Sequence, residues 1–184
     1  MSRIDDLAEQ YGEHIKTPWQ RNLAGVQRII FVVYPKEDER RMLVKLKEFE
    51  QRTKTAGHGW REVDLTSVFP VWMAAEEYRE EYFRHPEDLA LKLEKEIADA
   101  CVTRLREALM AEDVTDGTVL AVYGVASLYG FTYLHKVLKE IETLIPGRLL
   151  VFFPGSYDQN FYRLLDARDG WSYLATPITG LASK

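Results

Sequence analysis

At 184 residues the chain is the size of one domain, and it is long enough to bury a core without disulfides or a structural metal. An apolar fraction of 46% and a charged fraction of 29% are those of a soluble globular protein. The net charge of −5 argues against generic binding to phosphate backbones, and no apolar run is long enough to cross a bilayer.

Ser2 followed by Asp5 reads as a helix start, and Ile4, Leu7, Ala8, Tyr11 and Ile15 then fall on one face. Thr17-Pro18-Trp19 should end that helix, so residues 1–27 read as a helical arm packed on a single domain. The N-terminus is too acidic and too interrupted for a signal peptide. Arg28 to Tyr34 is a β-branched and aromatic run, the pattern of a strand covered on both faces. A helix is expected from about Pro35 to Ala56 with Met42, Leu43, Leu46 and Phe49 inward, stopped by Gly57. Trp60 to Leu65 follows as a second strand, which predicts a right-handed βαβ unit.

Pro70 opens a segment where Trp72, Met73, Tyr78, Tyr82 and Phe83 recur at helical spacing. Pro86 suits the first turn of a long helix reaching about Met110, because Leu89, Leu93, Ile97, Cys101, Leu105 and Leu109 recur every four residues. The single cysteine, Cys101, lies on that apolar face and reads as an inert core thiol, which fits a reducing cytoplasm. Asp116-Gly117 is a turn, Thr118 to Tyr123 a third strand, Gly124 to Gly130 a loop and Phe131 to Ile145 a helix. Leu149 to Phe153 is the fourth strand, Pro154-Gly155 turns the chain, and either Arg163–Leu165 or Tyr173–Ala175 supplies a fifth. The class is α/β: a mostly parallel sheet of about four to five strands with helices on both faces.

Such a sheet places ligands at the carboxyl ends of its strands. The loop after the first strand, Tyr34 to Arg40, has no glycine and three acids, so it would repel a pyrophosphate. Gly124 to Gly130 superficially resembles a phosphate loop, but Phe131 stands where a P-loop needs lysine. That leaves a degenerate, ATPase-like nucleotide-binding domain without a Walker A motif as the alternative reading. Ser127 lacks the Gly-x-Ser-x-Gly elbow of a nucleophile. His14, His58, His85 and His135 have no second His or Cys at metal spacing, so neither a metal nor a cofactor is predicted. Glu76, Glu77, Glu80 and Glu81 alternate with Arg79 and Arg84 as on a solvated helix surface.

The end of the fourth strand remains. Tyr157, Asp158, Asn160, Tyr162, Arg163, Asp166, Arg168, Asp169 and Trp171 crowd into fifteen residues. Short-range Arg–Asp pairs lock a turn in one reading. In the other, Tyr, Trp and Arg form a recognition surface for a partner protein, since these residue types concentrate interface binding energy.

The stretch Gly147-Arg-Leu-Leu-Val-Phe-Phe-Pro-Gly155, with Tyr162-Arg-Leu-Leu-Asp-Ala-Arg-Asp-Gly-Trp171 and Tyr173-Leu-Ala-x-Pro-Ile178, resembles the BrxB family of bacterial BREX (bacteriophage exclusion) defence systems. Pro18-Trp-Gln-Arg21, Phe31-Val-Val-Tyr34, Gly57-His-Gly-Trp60, Asp64-Leu-Thr66, Trp72-Met-Ala74 and Tyr78-Arg-Glu80 extend the likeness over nearly the whole chain. The resemblance implies a small cytoplasmic, non-enzymatic component of a multiprotein antiviral system that confers phage resistance. Other subunits there supply the methyltransferase, the ATPase and the alkaline-phosphatase-like PglZ protein. It carries over no catalytic residue, and it implies binding to other BREX subunits, with the PglZ-type protein first.

Overall fold

The computed structural model describes residues 2–180. Helix α1 spans Arg3–Lys16, and Ser2 and Asp5 form a reciprocal capping box at its start. Strand β1 (Ile29–Tyr34) is buried along its whole length. Helix α2 (Glu39–Thr55), strand β2 (Gly59–Asp64) and the short helices α3 (Val68–Ala75) and α4 (Arg79–Arg84) follow. Helix α5 (Ala90–Leu109) is entered through a 3-10 turn at Pro86–Leu89. Strand β3 (Thr118–Tyr123), helix α6 (Leu134–Ile141), strands β4 (Arg148–Asp158), β5 (Phe161–Leu164), β6 (Trp171–Ser172) and β7 (Thr176–Ile178) complete the order.

Five strands form a parallel sheet in the order β2-β3-β4-β1-β7, while β5 and β6 extend β4 as an antiparallel ribbon. Alternation along the central strands sorts the core into two layers. Ile30, Val32 and Tyr34 meet α1 and α2 through Tyr11, Met42 and Phe49. Ile29, Phe31 and Val33 face the opposite side, where α3, α5 and α6 pack. Helices therefore cover both faces, and the first helix belongs to a core layer.

β1, α2 and β2 do form a parallel crossover as expected, with β3 and β4 lying between the two strands. Several other elements differ from the sequence expectation. The fifth parallel strand is Thr176–Ile178; Arg163 and Leu164 lie in an antiparallel strand, and Tyr173–Ala175 precedes β7 without being a strand. β4 runs straight through Pro154-Gly155 instead of turning there. The 70–83 segment is two helices rather than one, and Phe131 precedes α6. Leu43 points outward.

The crossover from β1 to β2 passes over the α1–α2 face, and all later crossovers return across the other face. Reversing both direction and face keeps the hand, so every parallel connection shares one hand. The chain leaves β1 and its neighbour β4 toward opposite faces. The carboxyl ends of these two strands therefore form the switch-point crevice where α/β sheets bind ligands.

The 17–28 loop is fastened at the other end of the sheet. Arg28 donates to the Pro146 and Arg21 carbonyls at 2.7 and 2.8 Å, and Arg148 donates to the Gln20 carbonyl at 3.2 Å. Trp19 stacks on His58 at 3.7 Å, with the Arg148 guanidinium 4.7 Å from its ring.

Candidate interaction site at the carboxyl end of the sheet

The switch-point crevice is roofed by the chain itself. Beyond Pro154, β4 leaves the parallel ladder and pairs with β5, Gly155 opposite Leu164 and Tyr157 opposite Tyr162. The hairpin turns on Gln159 and Asn160, both at positive φ (45° and 71°), as a two-residue I′ turn requires. Gly155 is needed for the close approach: a Cβ there would overlap the Arg163 carbonyl oxygen. The Leu165 amide donates to the Pro154 carbonyl at 2.9 Å, and Lys36, from the loop after β1, forms an ion pair with Asp166. Below this closure the Tyr34 hydroxyl donates to Glu39 at 2.6 Å, and burial pushes the Glu39 carboxyl up.

An aromatic floor holds the ribbon down. Tyr162 is fully buried, with its hydroxyl donating to the Ala175 carbonyl at 2.9 Å. Its ring lies 4.6 Å from Phe31, 5.8 Å from Phe153 and 5.5 Å from Trp171. Tyr173 joins this cluster and donates to Glu142 at 2.8 Å. Trp171 reaches back to His135 at 5.1 Å, tying the floor to the first turn of α6.

Between the ribbon, the 129–134 loop and the start of α5 lies a cleft of about 590 Å³, within the size range of binding sites. Leu93, Tyr129, Tyr133, Arg168, Asp169 and Trp171 are among its walls, and Thr132 and Leu134 lie deeper. Tyr129 and Tyr133 are each 49% exposed. Lys136 is paired with Glu94 and sits 4.9 Å from the Tyr133 ring. Arg168 and Asp169 have no ion-pair partner among the described residues. The Thr132 hydroxyl and His135 Nδ1 are buried without a hydrogen-bond partner. Burial, followed by Lys139 and Lys136, lowers the His135 pKa and keeps the ring neutral near pH 7.

The structure divides the residues that the sequence brought together. Arg168, Asp169 and Trp171 line the cleft. Asp158, Asn160 and Arg163 are exposed on the outer side of the hairpin, and Tyr157 is half-buried with its hydroxyl donating to Asn160 at 3.0 Å. Tyr162 supports this surface from beneath and is not part of it. The expected Arg–Asp locks are absent among the described residues: Asp166 pairs with Lys36, and Arg163 donates to the Arg168 carbonyl at 3.2 Å. The sequence reading missed Tyr129, Thr132 and Tyr133. Their signal was the run Tyr-Gly-Phe-Thr-Tyr, three aromatics in five residues after a strand.

A free nucleophile beside a base or a row of unpaired amides would mark a catalytic loop, and in the 124–132 loop the Ser127 hydroxyl and several amides are engaged. Ser127 is consumed by the Gly124 and Leu65 carbonyls at 2.6 and 3.1 Å. The amides of Ser127, Tyr129, Phe131 and Thr132 bond within the 124–132 loop. Gly124 has φ 78°, and a Cβ there would lie 2.8 Å from Asp64. Cys101 is enclosed and its thiol is pushed up to about 12 by burial. No metal-ligand cluster occurs among the described residues, and no helix there is long and apolar enough to cross a membrane. Comparison with protein-family models, with curated proteins and with solved structures gives no match for this chain.

Proposed function

We propose that the chain is a non-catalytic binding subunit whose 129–171 cleft receives a partner protein. One observation carries the reading: exposed Tyr129 and Tyr133 face Arg168 and Asp169, charges without an internal partner, over a rigid aromatic floor. Tyr, Trp and Arg are the residue types that dominate interface energetics, and a pre-formed cleft lowers the entropy cost of binding.

The resemblance to the BrxB family supports the choice of setting and partner. In this reading the protein works within a BREX anti-phage system in the cytoplasm and binds its PglZ-type subunit. Co-expression of the tagged chain with that subunit is expected to give a co-purifying pair. Tyr133→Ala with Arg168→Ala, both on the exposed rim, is expected to lose the pair without loss of fold. A wild-type chain that retains no BREX subunit overturns the reading.

A further inference from the structure

Two surfaces outside the cleft match each other in charge and apolar content. Helix α4 buries none of its residues, although it carries Tyr82 and Phe83. A six-residue helix has little stability of its own, and this one gains none from burying a side chain. Phe83 is 63% and Tyr78 61% exposed, with Val71 and Leu91 also exposed on the adjoining α3 and α5. Around them, residues 76–88 hold six carboxylates against two arginines. Several pair locally, Glu81 with Arg84 at 3.0 Å and Glu76 with Lys92 at 3.2 Å, but Glu77 and Asp88 have no ion-pair partner among the described residues.

The second surface is the outer side of α2. Residues 40–47 hold Arg40, Arg41, Lys45 and Lys47 and no carboxylate. Val44 is 81% exposed at the centre of this set, and Leu43 is exposed beside it. An apolar cleft of about 370 Å³ opens there, lined by Ile4, Val44, Arg40, Arg41 and Lys45. Arg40 and Lys47 have no ion-pair partner among the described residues.

We infer that these surfaces bind one another between copies of this chain, with Tyr78 and Phe83 of one copy seated at the Val44 cleft of the next. On the basic surface Arg41 is paired with Asp38, and Lys45 with Asp5 and Glu48, so it is Arg40 and Lys47 that are left to meet Glu77 and Asp88 of the acidic one. Each has an apolar centre, the combination that gives an interface both steering and anchorage. α2 and α3 pack on opposite faces of the sheet, so within one molecule the two surfaces do not meet. The contact is therefore heterologous, joining unlike patches head to tail.

Sedimentation velocity of the full chain over a concentration series tests this. At low salt the weight-average mass is expected to rise above 21.4 kDa with concentration and to return toward it at high salt. Tyr78→Ser/Phe83→Ser and, separately, Arg40→Ser/Val44→Ser are each expected to weaken association about thirtyfold, the loss of one anchor. All four positions are exposed, so both variants should fold. Mixed in equal amounts they retain one intact pair of surfaces and should form a 1:1 complex and nothing larger. A wild-type chain that stays monomeric at millimolar concentration and low salt overturns the inference. So does association unchanged in either variant, or a mixture that fails to pair.

Discussion

Gly155→Ala tests whether the hairpin is packed as tightly as the geometry requires. The added methyl would overlap the Arg163 carbonyl oxygen and would lie 3.0 Å from both that carbonyl carbon and Phe153 Cε1, inside the 3.4 Å of ordinary contact. The main obstacle is backbone on the paired strand, so no side-chain rotation relieves it. Either β5 shifts away from β4 or Phe153 is displaced from the aromatic floor. Overpacking a fitted site costs about 1–3 kcal/mol, and each ladder hydrogen bond weakened adds about 0.5–1.5 kcal/mol. The expected loss is about 2–4 kcal/mol, or roughly 4–16 °C in Tm for a domain of this size. Gly117→Ala is the control, because the nearest atom to its added methyl is Thr115 Oγ1 at an ordinary 3.8 Å. It should stay within about 0.5 kcal/mol of wild type. Urea and thermal unfolding of both variants give the comparison. A Gly155→Ala protein within about 1 °C of wild type would refute the close approach and the anchored ribbon built on it.

Tyr162→Phe should cost about 1–2 kcal/mol by leaving the Ala175 carbonyl without its donor, whereas Tyr157→Phe should stay within about 0.5 kcal/mol; equal losses in urea unfolding would contradict the buried role of Tyr162. His14 has an exposed edge but packs closely enough on the protein that partial desolvation, and then the nearby Arg148, hold it below its ordinary pKa. The unfolded chain therefore binds more protons just below neutrality, so this stability is complete above about pH 6.5 and is lost as pH falls toward the folded value. The Tm of His14→Gln should fall less than that of wild type between about pH 7 and 5, and parallel curves would contradict this. Because the Gly124–Gly130 loop has no lysine for a phosphate and its Ser127 and Tyr129 amides bond internally, millimolar ATP with magnesium should leave the Tm unchanged. A rise would revive a nucleotide-binding reading.

The elements legible in sequence are those whose local signal and tertiary role agree. The unbroken Ile29–Tyr34 run became a strand buried on both faces, and the four-residue repeat from Leu89 to Leu109 follows the buried side of α5 and its entry turn. The Ser2–Asp5 pair formed its capping box. β7 was hidden because Pro177 reads against a strand; as a sheet-edge strand paired only with β1, it tolerates a missing donor. Pro154-Gly155 reads as a turn, but here Gly155 serves the approach of β5. Composition groups Tyr162 with Arg163 and Arg168, but the pleat of β5 turns Tyr162 into the core and leaves Arg163 outside, and Arg168 lies in the exposed loop after the strand. Tyr129 and Tyr133 join the cleft through tertiary folding, across more than thirty residues of sequence from Arg168.

The proposed contact between the rim of the 129–171 cleft and the PglZ-type subunit is measured by calorimetric titration of that purified subunit into wild type and into Tyr133→Ala/Arg168→Ala. The variant is predicted to bind at least about thirtyfold more weakly, the loss of roughly 2 kcal/mol typical of an interface anchor, at an unchanged Tm. Equal affinity in the two proteins, or no binding by wild type, would contradict it.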